Sequence, residues 1–233
     1  MSLGIAIVGY GKMGRIVARL APEHGCEVVR TLSSEENANA QALTPESLKG
    51  ADVAIEFTTP NAARQNLRRL IELGIPTVVG TTGWHDHVAE IRRLAESEKA
   101  GVVWGPNFSV GLHHFRQTVA EAARRFARED SYGAWAWEIH HVGKKDSPSG
   151  TLLALTEDMV RSGYTRHVSL SANRAGAVPG THEIGFDSAE DTITIRHTAR
   201  SREGFGRGAL RAARWLIGKK GFFEFREIAD ELL

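Results

Sequence analysis

Ile5-Ala6-Ile7-Val8-Gly9-Tyr10-Gly11-Lys12-Met13-Gly14-Arg15-Ile16-Val17 is the stretch whose reading decides the fold. Four apolar residues with no polar alternation read as a strand buried on both faces, as in a parallel sheet. The run breaks at glycine and passes directly into helical spacing, predicted over 13–21 with Ile16, Val17 and Leu20 on one face. The junction fits G-x-G-x-x-G. In such a turn the first glycine allows the tight bend and the second lets the backbone approach a pyrophosphate. The third lets helix and strand pack closely, and the helix N-terminus faces the phosphates. The pattern alone is also met in glycine turns without a ligand; its place as the first strand–turn–helix of the chain favours a dinucleotide.

Working outward, short apolar runs alternate with helical periods. Strands are predicted to begin at Val28-Val29 and to cover 52–57, 76–79 and 102–104, with helices over 61–72 and 85–97. Links this short require parallel pairing and right-handed crossovers, so the class is α/β: a Rossmann-like, doubly wound parallel sheet. The pattern then changes. A long helix is expected over 110–129 and a strand over 134–141, where Trp135, Trp137 and Ile139 alternate with smaller or polar residues. A helix follows over 150–161, then strands over 167–172, 181–186 and 191–197, and helical periodicity returns over 206–218. This second unit reads as α+β with an open mixed sheet.

Composition narrows the function classes. The chain has 233 residues, 42% of them hydrophobic, and 29 Lys and Arg against 28 Asp and Glu. A formal net charge of +1 provides no global field for nucleic acid or an anionic membrane. The one cysteine, Cys26, fits a reducing cytoplasm and cannot build a thiolate metal site. The longest stretch free of charged residues, 100–115, contains Gly, Pro, Asn and His and does not read as a membrane span. No secretory signal is expected at the N-terminus. No metal is expected either, because His140 and His141, adjacent on a strand, point to opposite faces.

NAD-preferring folds carry Asp or Glu at the tip of the second strand, about 20 residues past the turn. Here the tip reads as Ser33 and Ser34, which can hydrogen-bond a 2′-phosphate, with Lys12 to supply charge. The reading leans to NADPH over NADH; Glu35 at the tip would reverse it. The most informative segment is EIHHVGKKDSPSGT, 138–151. A strand ends in two histidines, a loop carries two lysines, and Ser-Pro-Ser-Gly-Thr opens a helix. His140 can hold a proton near neutral pH. Lys144 and the helix start at Ser149 and Thr151 would suit a carboxylate. Singly, each has an ordinary reading as a structural histidine, a solvated lysine or an N-cap; together they point to chemistry.

From the opening IAIVGYGKMGR onward, in order and nearly full length, the chain resembles the dihydrodipicolinate reductase family. The further shared segments are AIEFTTP (54–60), VVGTTGW (78–84), PNFSVG (106–111), EIHHVGKKDSPSGT, RAGAVPGTHEIGF (174–186) and FGRGALRAARWL (205–216). The resemblance implies NAD(P)H-dependent reduction of 4-hydroxy-tetrahydrodipicolinate in the diaminopimelate route to lysine. It implies His140 as general acid, Lys144 as catalytic or substrate-binding, and His141, Lys144, Ser149, Gly150 and Thr151 as contacts to the substrate carboxylates. For the cofactor it implies Gly80, Thr81 and Thr82, and Asn107, Phe108 and Ser109; to these the reading of the turn and strand tips adds Gly9, Tyr10, Gly11, Lys12, Met13, Gly14, Ser33, Ser34, Phe57 and Thr58, with Lys12 and Ser33 departing from the family's usual Arg and acid. The resemblance returns 204–233 to a dinucleotide-binding domain of 1–109, leaves 110–203 for substrate binding and oligomerisation, and implies a cytoplasmic homotetramer. Two alternatives stay open on the same fold: another two-domain NAD(P) dehydrogenase, or a dinucleotide sensor without turnover.

Overall fold

The computed structural model describes residues 2–232. It divides into two compact units, one running to Val110 and resuming at Arg202, the other spanning Gly111–Ser201.

In the first unit, β1 (Leu3–Val8), β2 (Cys26–Leu32), β3 (Val53–Glu56), β4 (Thr77–Val79) and β5 (Gly101–Trp104) alternate with α1 (Lys12–Leu20), α2 (Pro60–Glu72) and α3 (Val88–Ser97). The chain returns after the second unit as α6 (Glu203–Leu216), β10 (Gly221–Glu224) and the short α7 (Phe225–Ile228). The sheet has six strands in the order β10-β5-β4-β3-β1-β2, and its pairs are parallel. Ile5, Ile7, Val53, Ile55, Val78 and Val103 are fully buried in it. Each such side chain contributes about 1.5–3 kcal/mol on leaving water. Val17 and Leu20 of α1 lie on the same core, together with Ala209, Leu210 and Ala213 of α6.

The sixth strand, β10, is absent from the sequence reading. It is only four residues long, and its pairing of Phe222 with Val102 and Phe223 with Val103 is set by tertiary contact rather than by its own pattern. Boundaries also shift, among them the start of the last long helix, at Glu203 rather than 206. β2 starts at Cys26, before Val28; the helix expected over 85–97 opens as a 3-10 turn, His85–His87, ahead of α3; and the helix expected to reach 129 ends at Phe126.

The chain order places β2 on one side of β1 and β3 on the other. The crossing point of a doubly wound sheet, at the strands' carboxyl ends, is where such folds receive ligands. The loops beginning at Gly9, Phe57 and Gly80 leave the sheet there.

The second unit holds α4 (Val110–Phe126), β6 (Gly133–His140), α5 (Gly150–Arg161), β7 (Val168–Arg174), β8 (Thr181–Asp187) and β9 (Thr192–Thr198). Its sheet runs β7-β6-β8-β9, with β6–β7 parallel and the other pairs antiparallel. Leu112, Phe115, Val119, Leu152, Leu155, Met159, Ile184 and Phe186 form the core between helices and sheet. Arg116 ties α4 to α5 through a two-point bond to Asp158, at 2.7 and 3.1 Å.

The alternation along β6 runs opposite to the usual large-inside rule. Ala134, Ala136, Glu138 and His140 are buried, whereas Trp135, Trp137 and Ile139 are only half-buried on the other face. The helices lie close to the sheet, so small residues fit beneath them. The tryptophans spread over the far face, Trp135 directly over Gly185.

Candidate active site

The first cluster forms where β1, β3 and β4 end. Gly9 takes φ +96°, and its amide and that of Tyr10 donate to Leu32 O at 2.9 and 3.2 Å. A Cβ on Gly9 would strike Phe57 O at 2.1 Å, and one on Gly14 would strike Gly9 O at 2.2 Å. These two close approaches are what the first and third glycines permit. Gly11 caps α1 with no side-chain bond, and nothing lies within 4 Å of where its Cβ would be. That is the open approach a pyrophosphate needs at a helix N-terminus. Lys12 and Met13 open the helix beside it, and the Arg15 guanidinium lies over the Tyr10 ring. The Phe57 ring covers Gly80, and the Thr58 amide donates to Thr81 Oγ at 2.7 Å. Thr82 is exposed, and Trp84 Nε1 donates to Thr81 O at 2.8 Å. Asn107 Oδ1 accepts from Ser109 N at 2.8 Å, whereas the Phe108 ring is buried against Phe225.

At the tip of β2 the sequence reading missed Glu36. Its carboxylate accepts from Ser33 N at 3.1 Å and from Arg30 Nη2 at 3.2 Å, and its own amide donates to Ser33 Oγ. The Ser33 amide bond, then the nearby Arg30, hold the Glu36 carboxyl below the usual range. Ser34 and Glu35 are exposed. The Ser-x-x-Glu spacing was the available signal.

The second cluster forms at the end of β6. Glu138 and His140 share the inward face by strand parity, while His141 lies just past the strand and is half-buried. Glu138 is fully buried. Its Oε1 accepts from Ser149 N and from Arg174 Nη2, both at 2.9 Å, and Ser149 Oγ donates to its Oε2. Burial pushes the Glu138 carboxyl up, but the Ser149 and Arg174 bonds outweigh it and hold the group below its ordinary value. Ser149 is the N-cap of α5, and its Oγ accepts from Leu152 N at 3.2 Å. The anion that Ser149 serves is therefore internal. Gly150 is exposed and Thr151 half-buried at the start of the helix.

His140 Nδ1 lies 3.7 Å from Glu138 Oε2, and its Nε2 sits so close to Gly180 that a Cβ there would come within 2.9 Å. His182 Nε2 lies 3.4 Å from the same Oε2 and 3.3 Å from Ser149 Oγ, with the two rings 5.1 Å apart. Burial lowers His140, opposed by Glu138 and aided by Lys144 and Arg174. His182 is lowered to about 4, by burial first and then by His140. Lys144 Nζ pairs with both Asp146 oxygens, at 2.7 and 2.9 Å. Sequence reading assigned nothing to Glu138, Arg174 or His182, which lie far apart along the chain; only the parity of Glu138 with His140 was visible.

Glu138, His140 and His182 each offer a ligand atom within 4.8 Å of the others. The arrangement suits a metal poorly. Both Glu138 oxygens already accept hydrogen bonds, one from the Arg174 guanidinium, whose charge repels a cation.

Family models for the two parts of dihydrodipicolinate reductase match residues 3–108 (N-terminus) and 111–228 (C-terminus). The chain belongs to the dihydrodipicolinate reductase family. It is 32% identical to the 4-hydroxy-tetrahydrodipicolinate reductase of Christiangramia forsetii, covering 99% of both chains. It is 35% identical to that of Archaeoglobus fulgidus, covering 97% of this chain and 99% of the relative. A solved dihydrodipicolinate reductase from Paenisporosarcina sp. TG-14, with dipicolinate bound, shares the fold at TM-score 0.80 and 23% identity, covering 98% and 100% of the two chains. A probable dehydrogenase from Thermotoga maritima shares it more loosely, at TM-score 0.61 and 9% identity, covering 99% and 93%. As a dihydrodipicolinate reductase family member the chain is an oxidoreductase that uses a nicotinamide dinucleotide, and the Gly9 turn, with its open approach at Gly11, fits that cofactor.

Proposed function

We propose that this chain reduces 4-hydroxy-tetrahydrodipicolinate to tetrahydrodipicolinate in the diaminopimelate route to lysine, with His140 as proton donor. The observation that carries the assignment of His140 is the buried Glu138 carboxylate facing its Nδ1. At 3.7 Å the carboxylate makes no hydrogen bond to Nδ1, but its charge favours the protonated, proton-donating form of the ring. Glu138 also binds the start of α5, so the proton donor and the helix start share one anchor.

Once water has left the 4-hydroxy substrate to give the conjugated dihydropyridine ring, the dinucleotide would supply a hydride to that ring. Gly9–Gly14, Phe57, Thr58, Gly80, Thr81, Thr82 and the backbone of 107–109 would hold it. His140 then delivers a proton to the ring carbon left electron-rich. Lys144, His141, Gly150 and Thr151 hold the substrate carboxylates, Lys144 exchanging Asp146 for a substrate oxygen, and Ser149 keeps the helix start in place. We assign the unit built on the six-stranded sheet to the dinucleotide and the other to substrate and self-association.

Cofactor preference turns on opposed features of one strand tip. Ser33 and Lys12 favour the 2′-phosphate of NADPH; the Glu36 carboxylate on the Ser33 amide repels it and suits the 2′-hydroxyl of NADH. We propose that both cofactors are used, the sequence-based lean to NADPH being offset by Glu36. The far face of the second sheet, with Trp135 and Trp137 half-buried, supports a homotetramer. A cytoplasmic site rests on the single free cysteine, Cys26. Among the described residues no helix is long and apolar enough to cross a membrane.

The test is a coupled assay. Substrate is generated from pyruvate and aspartate semialdehyde by the upstream synthase, and NADPH and NADH oxidation are followed in parallel. Oxidation that needs both proteins is the expected result. None with either cofactor, from folded, cofactor-bound protein, would leave the sensor or another dehydrogenase.

A further inference from the structure

Glu56, the last residue of β3, is fully buried in the first unit. Its hydrogen-bonding partners are all neutral. Thr81 Oγ donates to Oε2 at 2.6 Å, Asn66 Nδ2 donates to Oε1 at 3.3 Å, and Thr58 Oγ hydrogen-bonds Oε1. Its register neighbours, Val8 on β1 and Val79 on β4, are apolar. Among the described residues no Lys, Arg or His pairs with it, in contrast to Glu138, which has Arg174.

The position is as unusual as the environment. Thr58 and Thr81 stand on the two loops that leave the sheet edge beside the glycine turn, and Thr58 Cγ2 lies where a Cβ on Gly9 would fall, at 2.7 Å. The same polar chain extends outward. Asn37 Nδ2 donates to Asn66 Oδ1 at 2.8 Å, and the Asn37 amide donates to Ser33 O at 3.1 Å, at the tip of β2. One buried carboxyl thus joins the loop after β3, the loop after β4, α2 and, through two asparagines, the strand tip.

We propose that Glu56 is a positioning residue of the dinucleotide site. Held as a neutral carboxylic acid, it clamps the Thr58 and Thr81 loops, and its ionisation loosens the grip on the cofactor. A fully buried carboxyl without a cation keeps its proton, because a desolvated charge has nothing to offset it. Burial raises Glu56 despite the bonds from Thr58, Thr81 and Asn66, which oppose the rise. The neutral acid suits its place: a carboxylate under the glycine turn would repel the pyrophosphate and would stress the apolar strands around it. The proposal rests on the assignment of the dinucleotide to this edge.

The test measures the dissociation constant of NADH for wild-type protein and for Glu56→Gln across pH, by quenching of tryptophan fluorescence, with no substrate present. Gln keeps the shape and stays neutral. Wild type is expected to weaken about tenfold between about pH 6 and about pH 9, the effect of roughly one unit of linkage, while Glu56→Gln stays flat. Parallel pH curves, or a flat wild-type curve, would overturn the role of Glu56. No NADH binding at any pH would overturn the cofactor assignment and this proposal with it. A second measurement needs no variant. In wild-type protein labelled with 13C at glutamate carboxyls, one resonance should titrate well above the others; if every glutamate titrates in the ordinary carboxylate range, Glu56 is charged and the proposal fails.

Discussion

His140 and Lys144 are the residues on which turnover should depend. His140→Gln keeps a polar planar side chain but removes the transferable proton. Steady-state assays should show turnover down about a hundredfold with cofactor affinity unchanged. Lys144→Ala should raise the KM for substrate about tenfold or more, through the lost charge-assisted contact, and leave cofactor binding alone. His182 should show itself in stability. Its folded value of about 4 lies below the ordinary 6.5. As pH falls below about 6.5 the unfolded chain takes up a proton that folded His182 refuses, so stability declines toward about pH 4, by at most about 3 kcal/mol. Urea unfolding of His182→Gln across this window should give a shallower acid limb than wild type. At this scale the sequence was only partly legible. His140 and Lys144 stand in one contiguous motif, whereas Glu138 gains its meaning from Ser149, Arg174 and His182, which reach it from α5, β7 and β8.

Among the elements, the start of α5 serves two purposes. Ser149 caps the helix and donates to Glu138. Ser149→Ala removes the cap and leaves Glu138 one donor short. It should cost about 2 kcal/mol in denaturant unfolding, and it should shift the acid limb of the rate–pH profile because Glu138 is less well compensated beside His140. A stability loss with an unmoved profile would mean that Ser149 only caps. Strongly periodic elements such as α1, α2 and α6 were readable, because each carries its own apolar face. The four residues of β10 were not, because a short edge strand of a parallel sheet draws its pairing from β5 rather than from a pattern of its own.

For the whole molecule the open face of the second sheet matters most. Trp137 Nε1 donates to Asn173 Oδ1 at 2.6 Å, and the Arg196 guanidinium lies over its ring, 5.9 Å from the centroid. Two half-buried tryptophans on one sheet face suit contact with further copies of the chain. Wild-type protein should run on light scattering near four times its 25.5 kDa chain mass, and Trp137→Glu should shift it to smaller species while far-UV circular dichroism is kept. An unchanged mass would place the tetramer contact elsewhere.

The α/β class, the glycine turn and the family resemblance were legible in the sequence alone. Each rests on local patterns and their order along the chain, which need no knowledge of which distant segments meet. Tertiary structure decided what depends on distant segments meeting. It turned Ala136 and Glu138 inward and Trp135 and Trp137 outward, gave Ser149 an internal anion, set Glu36 on the Ser33 amide, and left Glu56 buried without a cation. The reason is physical. Periodicity reports which faces of an element differ, but the charge and burial of a polar side chain are set by partners that only the folded chain brings within hydrogen-bonding reach.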